Sequence, residues 1–203
     1  MNVAVLIYAK PPLIGLSKTR LARSLGPGEA RRIARWTMSR TINEGCDPRW
    51  QTVLYTTPDR ALTQSLGPLW PTGLCRRSQG AGGLTERLEK GLAEAPLGKV
   101  LFIGADAPDI SRGQIWLAIR KLDRHDAVFG PATDGGFWLF GLKKRPRTQS
   151  PFRHVRWSTP HTTADVRKNL KVGTRVAAID TLIDIDDADD WWAWQRGWLN
   201  APG

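Results

Sequence analysis

Short continuous apolar runs alternate along this chain with stretches of helical periodicity. That order predicts an α/β fold built on a mostly parallel sheet. Val3–Ala9 is apolar throughout, the pattern of a strand buried on both faces. Thr52–Thr56, the weaker Gly73–Ser78, Val100–Gly104, Ala127–Gly130, Phe137–Phe140 and Arg175–Ile179 read as further strands. Between them, Glu29–Glu44 puts Ile33, Thr37, Met38, Thr41 and Ile42 on one helical face, and Leu84–Ala95 aligns Leu84, Leu88, Leu92 and Ala95. Ser111 is the N-cap expected of a helix running to about Leu122. Shorter helices are predicted over Asp59–Leu66 and Thr162–Leu170, and a terminal one around Trp191–Trp194. Pro11–Ser17 and the basic, Pro- and Ser-rich Lys143–Arg156 lack periodicity and read as loops. With no repeat, low-complexity block or clean linker, residues 1–203 are expected to form a single domain.

Composition narrows the class. Hydrophobic residues make up 41% of the 203, which is inconsistent with a largely disordered chain. Two cysteines, Cys46 and Cys75, are too few for a disulfide framework or a cysteine-only zinc site. The longest apolar run falls far short of the roughly 20 residues of a membrane span. It also lacks a signal-peptide lead-in, so a soluble cytoplasmic protein is expected.

The formal net charge is +11, yet residues 180–203 carry six acidic side chains and one basic one. A basic body suits nucleic acid, a phosphorylated small molecule, or mere solubility. No finger, RNA-recognition signature or similar module accompanies the charge, so nucleic acid is not expected as a partner.

Candidate chemistry gathers in loops that follow strands, where open α/β sheets bind ligands. Lys10, Gly15, Lys18, Thr19 and Arg20 follow the first strand. Glycine admits a phosphate close to the backbone and Arg20 can grip it bidentately, although the spacing is not that of a P-loop. A solvated basic turn is the alternative. Asp106, in Gly104-Ala-Asp-Ala-Pro-Asp109, is placed to hold a hard cation or to cap a turn. Asp109 or Ser111 caps the next helix. Gly130-Pro-Ala-Thr-Asp-Gly-Gly-Phe137 holds one glycine more than a plain hairpin needs, which suggests backbone packed on a base or a sugar ring, or a tight core connection. In Asp184-Ile-Asp-Asp-Ala-Asp-Asp190, Asp186 is the candidate metal ligand and the other acids suit a helix start. His125, His154 and His161 have no zinc-like spacing, and no Gly-x-Ser-x-Gly elbow is present. Of ten scattered tryptophans, Trp157 in Trp157-Ser-Thr159 is the candidate ligand contact.

Lys10-Pro-Pro-Leu-Ile-Gly-Leu-Ser-Lys-Thr-Arg-Leu21, Gly104–Asp109, Gly130–Phe137, Trp157–Thr159 and Asp184–Asp186 occur in that order. Together they resemble the DUF2064 family of bacterial glycosyltransferase-A-like proteins. That family is similar to the nucleotide-diphosphosugar transferase superfamily, which includes the molybdenum-cofactor and phospholactate guanylyltransferases. The resemblance implies a doubly wound, mostly parallel sheet sandwiched by helices, with a nucleotide site over its first half. It implies Lys10, Gly15, Lys18, Arg20 and Arg87 at the nucleotide, and Asp106 and Asp186 at Mg²⁺ or Mn²⁺. Asp134 would act with Lys18 in catalysis, and Gly135, Gly136, Trp157, Ser158 and Thr159 would face donor sugar or acceptor. Many relatives read Gly-Asp-Leu-Gly where this chain has Gly82-Gly83-Leu84-Thr85, and Ile14 replaces a usual proline. The missing aspartate at Gly83 implies altered specificity or reduced activity if that carboxylate contacts a ligand.

The function expected is metal-dependent transfer from a nucleotide-diphosphosugar to a small-molecule acceptor. The alternative keeps the site and joins an NTP to a phosphorylated acceptor with release of pyrophosphate, the Lys143–Arg156 stretch supplying cations for the acceptor's phosphate.

Overall fold

The Val3–Ala9 run forms strand β1, with Ala4, Val5, Leu6 and Ile7 all buried, as a strand covered on both faces requires. A computed structural model describes residues 2–199, apart from the side chains at 198 and 199. The further strands are β2 (Gln51–Thr56), β3 (Cys75–Ser78), β4 (Gly98–Gly104), β5 (Ala127–Pro131), β6 (Phe137–Lys144) and β7 (Val176–Ala178). They make a seven-stranded sheet in the order β3-β2-β1-β4-β6-β5-β7. Only β6 runs antiparallel to its neighbours β4 and β5. The doubly wound, mostly parallel α/β fold is therefore present.

Helices α1 (Thr19–Leu25), α2 (Pro27–Gly45), α3 (Leu84–Glu94), α4 (Arg112–Arg124), α5 (Thr162–Lys168) and α6 (Ala188–Leu199) connect or follow the strands. Side chains alternate across β1, so the sheet has two cores. Val5 and Ile7 pack with Met38 and Ile42 of α2 and Ile115 and Ile119 of α4. Leu6 and Phe102 pack on the other face with Leu88 and Leu92 of α3 and with Phe140 and Phe152. Ser111 caps α4 as expected: its Oγ accepts from the Gln114 N–H at 3.2 Å, and its own N–H donates to Gln114 Oε1 at 2.9 Å.

Three expectations need correction. Thr19 and Arg20 are not loop residues but open α1, a two-turn helix whose one buried side chain, Leu21, is too little to register as periodicity. Asp59–Leu66 yields only a 3₁₀ turn over Asp59–Leu62, with Pro68 further on at the head of a second turn over Gly67–Leu69. Lys143 and Lys144 belong to the end of β6, and the segment behind them is tied down by its own bonds, such as Thr148 N–H to Arg145 O at 3.0 Å.

Candidate functional site

Strand order reverses at β1, whose neighbours are β2 on one side and β4 on the other, and such a switch point is where open α/β sheets form a crevice. Tyr8 pairs with Gly104 across it, so the segments leaving β1 and β4 start side by side. From β1 the chain passes through the 11–17 loop to Lys18, whose φ of 52° turns it left-handed at the head of α1. Its ammonium lies 2.6 Å from Asp106 Oδ1 and 3.1 Å from Asp186 Oδ1, and donates to Ile185 O. Arg20 Nη2 donates to the other oxygen of Asp186 at 2.8 Å. The Ile185 N–H donates to Asp106 O at 3.1 Å, joining the late acidic segment to the end of β4. Four of the predicted residues, distant in sequence, thus form one cluster.

The Lys18 side chain is 7% exposed, whereas Asp106 and Asp186 are 44% and 39% exposed. Burial alone would push the lysine down, but the two carboxylates outweigh it and hold it above the usual lysine range. The cluster has a member that sequence reasoning missed. Asp184 is half-buried, and desolvation, then Asp106, push its carboxyl up to about 8, with Asp134 and Asp186 adding and Lys18 opposing. The sequence holds one signal: an isoleucine between two acids, which the structure buries completely, so both acids flank an anchored residue. The hydroxyl of Ser17 was also passed over. It is buried without a hydrogen-bond partner among the described residues, in the loop that approaches the cluster.

A cavity of about 170 Å³ opens beside this cluster. Its walls are Tyr8, Leu84, Leu88, Phe102, Phe137 and Trp157; Asp134, Asp184, Ser158 and Thr162 contribute the polar side chains. Trp157 is fixed by Thr85, whose Oγ1 accepts from the indole N–H at 2.8 Å and donates to Phe152 O at 3.0 Å. Thr85, where the resemblance implies a glycine, therefore braces the cavity wall. Asp134 Oδ1 accepts from the Gly136 N–H at 2.8 Å, which shapes the turn between β5 and β6.

The remaining predicted residues lie elsewhere. Lys10 and Gly15 are exposed in the loop after β1. Arg87 donates to Gln79 Oε1 at 3.3 Å and to Gly82 O at 3.2 Å, so it supports the 79–83 turn. Thr159 faces the start of α5, its hydroxyl donating to Arg156 O at 2.8 Å. Gly135 does not line the cavity: it has φ 87°, and a Cβ there would lie 2.5 Å from the Pro160 backbone. Its missing side chain makes room for the chain itself rather than for a flat ligand. Asp109 does not cap α4 but accepts from the Trp194 indole at 2.9 Å. Asp187 and Asp190 are helix-start acids, as expected, exchanging bonds with backbone N–H groups at the head of α6.

Most of the basic side chains of the 143–156 stretch make contacts within the protein. Lys143 donates to Asp123 O and Lys144 to Ala93 O, while Arg145, Arg153 and Arg156 pair with Asp126, Glu89 and Asp165. The cavity lining contains no lysine or arginine.

The donor chemistry of Asp106, Asp184 and Asp186 is all carboxylate oxygen, which fits a hard cation such as Mg²⁺ or Mn²⁺. No group of three or more His, Cys, Asp or Glu is preassembled for a metal among the described residues. One or two carboxylates completed by substrate phosphates is the arrangement Mg²⁺ usually takes.

Comparison with solved structures gives the same fold. A candidate nucleotide-diphospho-sugar transferase from Desulfovibrio desulfuricans G20 is 23% identical, with a TM-score of 0.82 over 99% of this chain and 90% of that one. A 4-diphosphocytidyl-2C-methyl-D-erythritol synthase from Anaerococcus prevotii is 11% identical, with a TM-score of 0.61 over 98% and 99%. Rv0371c of Mycobacterium tuberculosis H37Rv, in complex with manganese, is 14% identical, with a TM-score of 0.55 over 95% and 97%. No curated protein sequence matches. The family model described as "Uncharacterized protein conserved in bacteria (DUF2064)" matches residues 43–159, a span that holds Asp106, Asp134 and Trp157 and leaves Lys18 and Asp186 outside. With more than half of its length matched and the nucleotide-diphosphosugar transferase fold around the match, the chain belongs to the DUF2064 family.

Proposed function

We propose that this protein is a transferase that moves a sugar from a nucleotide-diphosphosugar to a small-molecule acceptor at the β1/β4 crevice. The observation that carries the reading is the Lys18–Asp106–Asp186–Arg20 cluster standing beside a cavity that holds Asp134. Lys18 and Arg20 exchange carboxylate for phosphate oxygens when the donor binds, Arg20 offering two parallel N–H groups and Lys18 a compact charge. The unpartnered Ser17 hydroxyl supplies a further donor from the same loop. Asp106 and Asp186 hold Mg²⁺ or Mn²⁺, and the chemistry such a cation supplies when bound is neutralisation of charge on the departing diphosphate. The manganese complex of Rv0371c, a protein of the same fold, supports a cation of this kind.

In the transfer, an acceptor hydroxyl oxygen bonds to the anomeric carbon as the bond from that carbon to the diphosphate breaks. The nucleoside diphosphate leaves with the electron pair. Asp134 accepts the hydroxyl proton. Tyr8, Phe102 and Phe137 exclude water from that side of the site.

Sugar transfer is preferred over nucleotidyl transfer because no lysine or arginine among the described residues lines the cavity, while Arg145, Arg153 and Arg156 face Asp126, Glu89 and Asp165. Isothermal titration of UDP, GDP and their sugars in Mn²⁺ tests the reading. Binding of at least one, weakened tenfold or more by Asp106→Ala, is expected. Absence of binding by all, or release of pyrophosphate from an NTP in the presence of a phosphorylated acceptor, overturns it.

A further inference from the structure

The cavity beside the charged cluster has a chemical character that the transfer reaction alone does not explain. Besides Tyr8 of β1 and Phe102 of β4, its walls are Leu84 and Leu88 on one face of α3, Phe137 at the start of β6, and Trp157 in the loop before α5. At about 170 Å³ it has the volume of a single six-membered ring; an apolar cavity of roughly 150 Å³ is enough to take benzene. Among the described residues no lysine or arginine lines it, and the Asp134 carboxylate would repel a phosphate. A ring carrying several hydroxyls would meet apolar side chains over most of the wall, and each hydroxyl left unpaired there costs roughly 1–3 kcal/mol. An apolar ring carries no such cost against those side chains.

Thr85 gives the wall its rigidity. By holding the Trp157 indole N–H and the Phe152 carbonyl with one hydroxyl, it satisfies the polar edge of the tryptophan and leaves the ring's apolar surface for the cavity. Glycine at this position could do neither.

We infer that the acceptor is an uncharged molecule with an aromatic or aliphatic ring, seated between Leu84, Leu88, Phe137 and Trp157, with a hydroxyl directed to Asp134. This rests on the transferase reading for the word acceptor, but the selectivity of the cavity is measurable without turnover.

The test uses the full chain and three probes followed by saturation-transfer NMR: benzyl alcohol, phenyl phosphate and methyl β-glucoside. Leu84→Glu is the diagnostic variant. Leu84 is 41% exposed and opens α3, where a glutamate is favourable to the helix, so the change puts a charge on the wall without unfolding the protein. Benzyl alcohol is expected to bind at least tenfold more tightly than either other probe, to lose tenfold or more in Leu84→Glu, and to bind alongside saturating nucleotide. Equal or tighter binding of phenyl phosphate or methyl β-glucoside overturns the inference. So does absence of benzyl alcohol binding, or an affinity that Leu84→Glu leaves unchanged. Competition between benzyl alcohol and the nucleotide also overturns it, since the cavity would then be a base pocket. Failure of every nucleotide to bind while benzyl alcohol behaves as expected sinks the transferase reading and leaves the selectivity of the cavity standing.

Discussion

Lys18 Nζ lies 2.6 Å from Asp106 Oδ1, joining the segment that follows β1 to the segment that follows β4 at the point where strand order reverses. The same ammonium reaches Asp186, so one side chain holds three separate loops together. Replacing it by methionine keeps the apolar stem and removes the charge. Lys18→Met is expected to lower stability by about 1–3 kcal/mol, the range for charged hydrogen bonds, reduced by the half-exposure of both carboxylates. Urea unfolding measures the loss. A variant as stable as the wild type would show that the clamp contributes nothing to the fold.

Thr85 offers a second lever, away from the charged cluster. Thr85→Val preserves shape and removes the hydroxyl, leaving the Trp157 N–H and the Phe152 carbonyl without that partner. A loss of about 1–2 kcal/mol is expected from a half-buried pair of bonds. Weaker binding of ring-bearing probes should accompany it, because the indole is free to turn. Unchanged stability together with unchanged probe affinity would remove Thr85 from the account.

Local features were legible in the sequence and convergent ones were not. The Val3–Ala9 run, the Leu84/Leu88/Leu92 stripe and the Ser111 cap each carry their own signal within a few residues, and each appears where expected. Asp106 and Asp186 stood out because each sits where a strand or acidic run meets a loop, but their meeting through Lys18 depends on how strands order themselves in the sheet. Asp184 sits among five other acids, and what sets it apart is its place beside Asp106 and Lys18, which depends on the fold. The basic run at 143–156 shows the opposite case. Its charge was visible, whereas the carboxylates that absorb it come from positions such as Glu89 and Asp165 that no local pattern connects to it.

Gly135 tests whether its turn is built for the chain or for a ligand. Its φ of 87° and the approach of Pro160 to within 2.5 Å of a would-be Cβ predict that Gly135→Ala is strained on two counts. The backbone conformation alone costs about 1–3 kcal/mol. Thermal unfolding should register a destabilised protein in the absence of any ligand. If stability were unchanged and only ligand affinity fell, the glycine would belong to the ligand after all.

Asp165 governs the acid limit of the segment that carries Trp157. Its Oδ2 accepts from Arg156 N and Nε at 3.1 and 2.8 Å, and its Oδ1 from Arg156 Nη2 at 2.8 Å. These bonds, the side-chain pair first, hold the carboxyl well below the usual carboxylate range. In the unfolded chain an aspartate titrates near about 3.9. The folded protein therefore binds this proton less readily than the unfolded one, and the contribution is complete above about pH 4 and lost as pH falls through the folded value. Wild-type Tm is expected to drop between about pH 4 and pH 2. In Asp165→Asn the melting temperature should be lower at neutral pH and fall less over the same interval. Parallel pH profiles for the two proteins would mean that the Arg156–Asp165 pair does not set acid stability, and that the loop around Trp157 is held by its other bonds, from Thr85, Thr159 and Thr162.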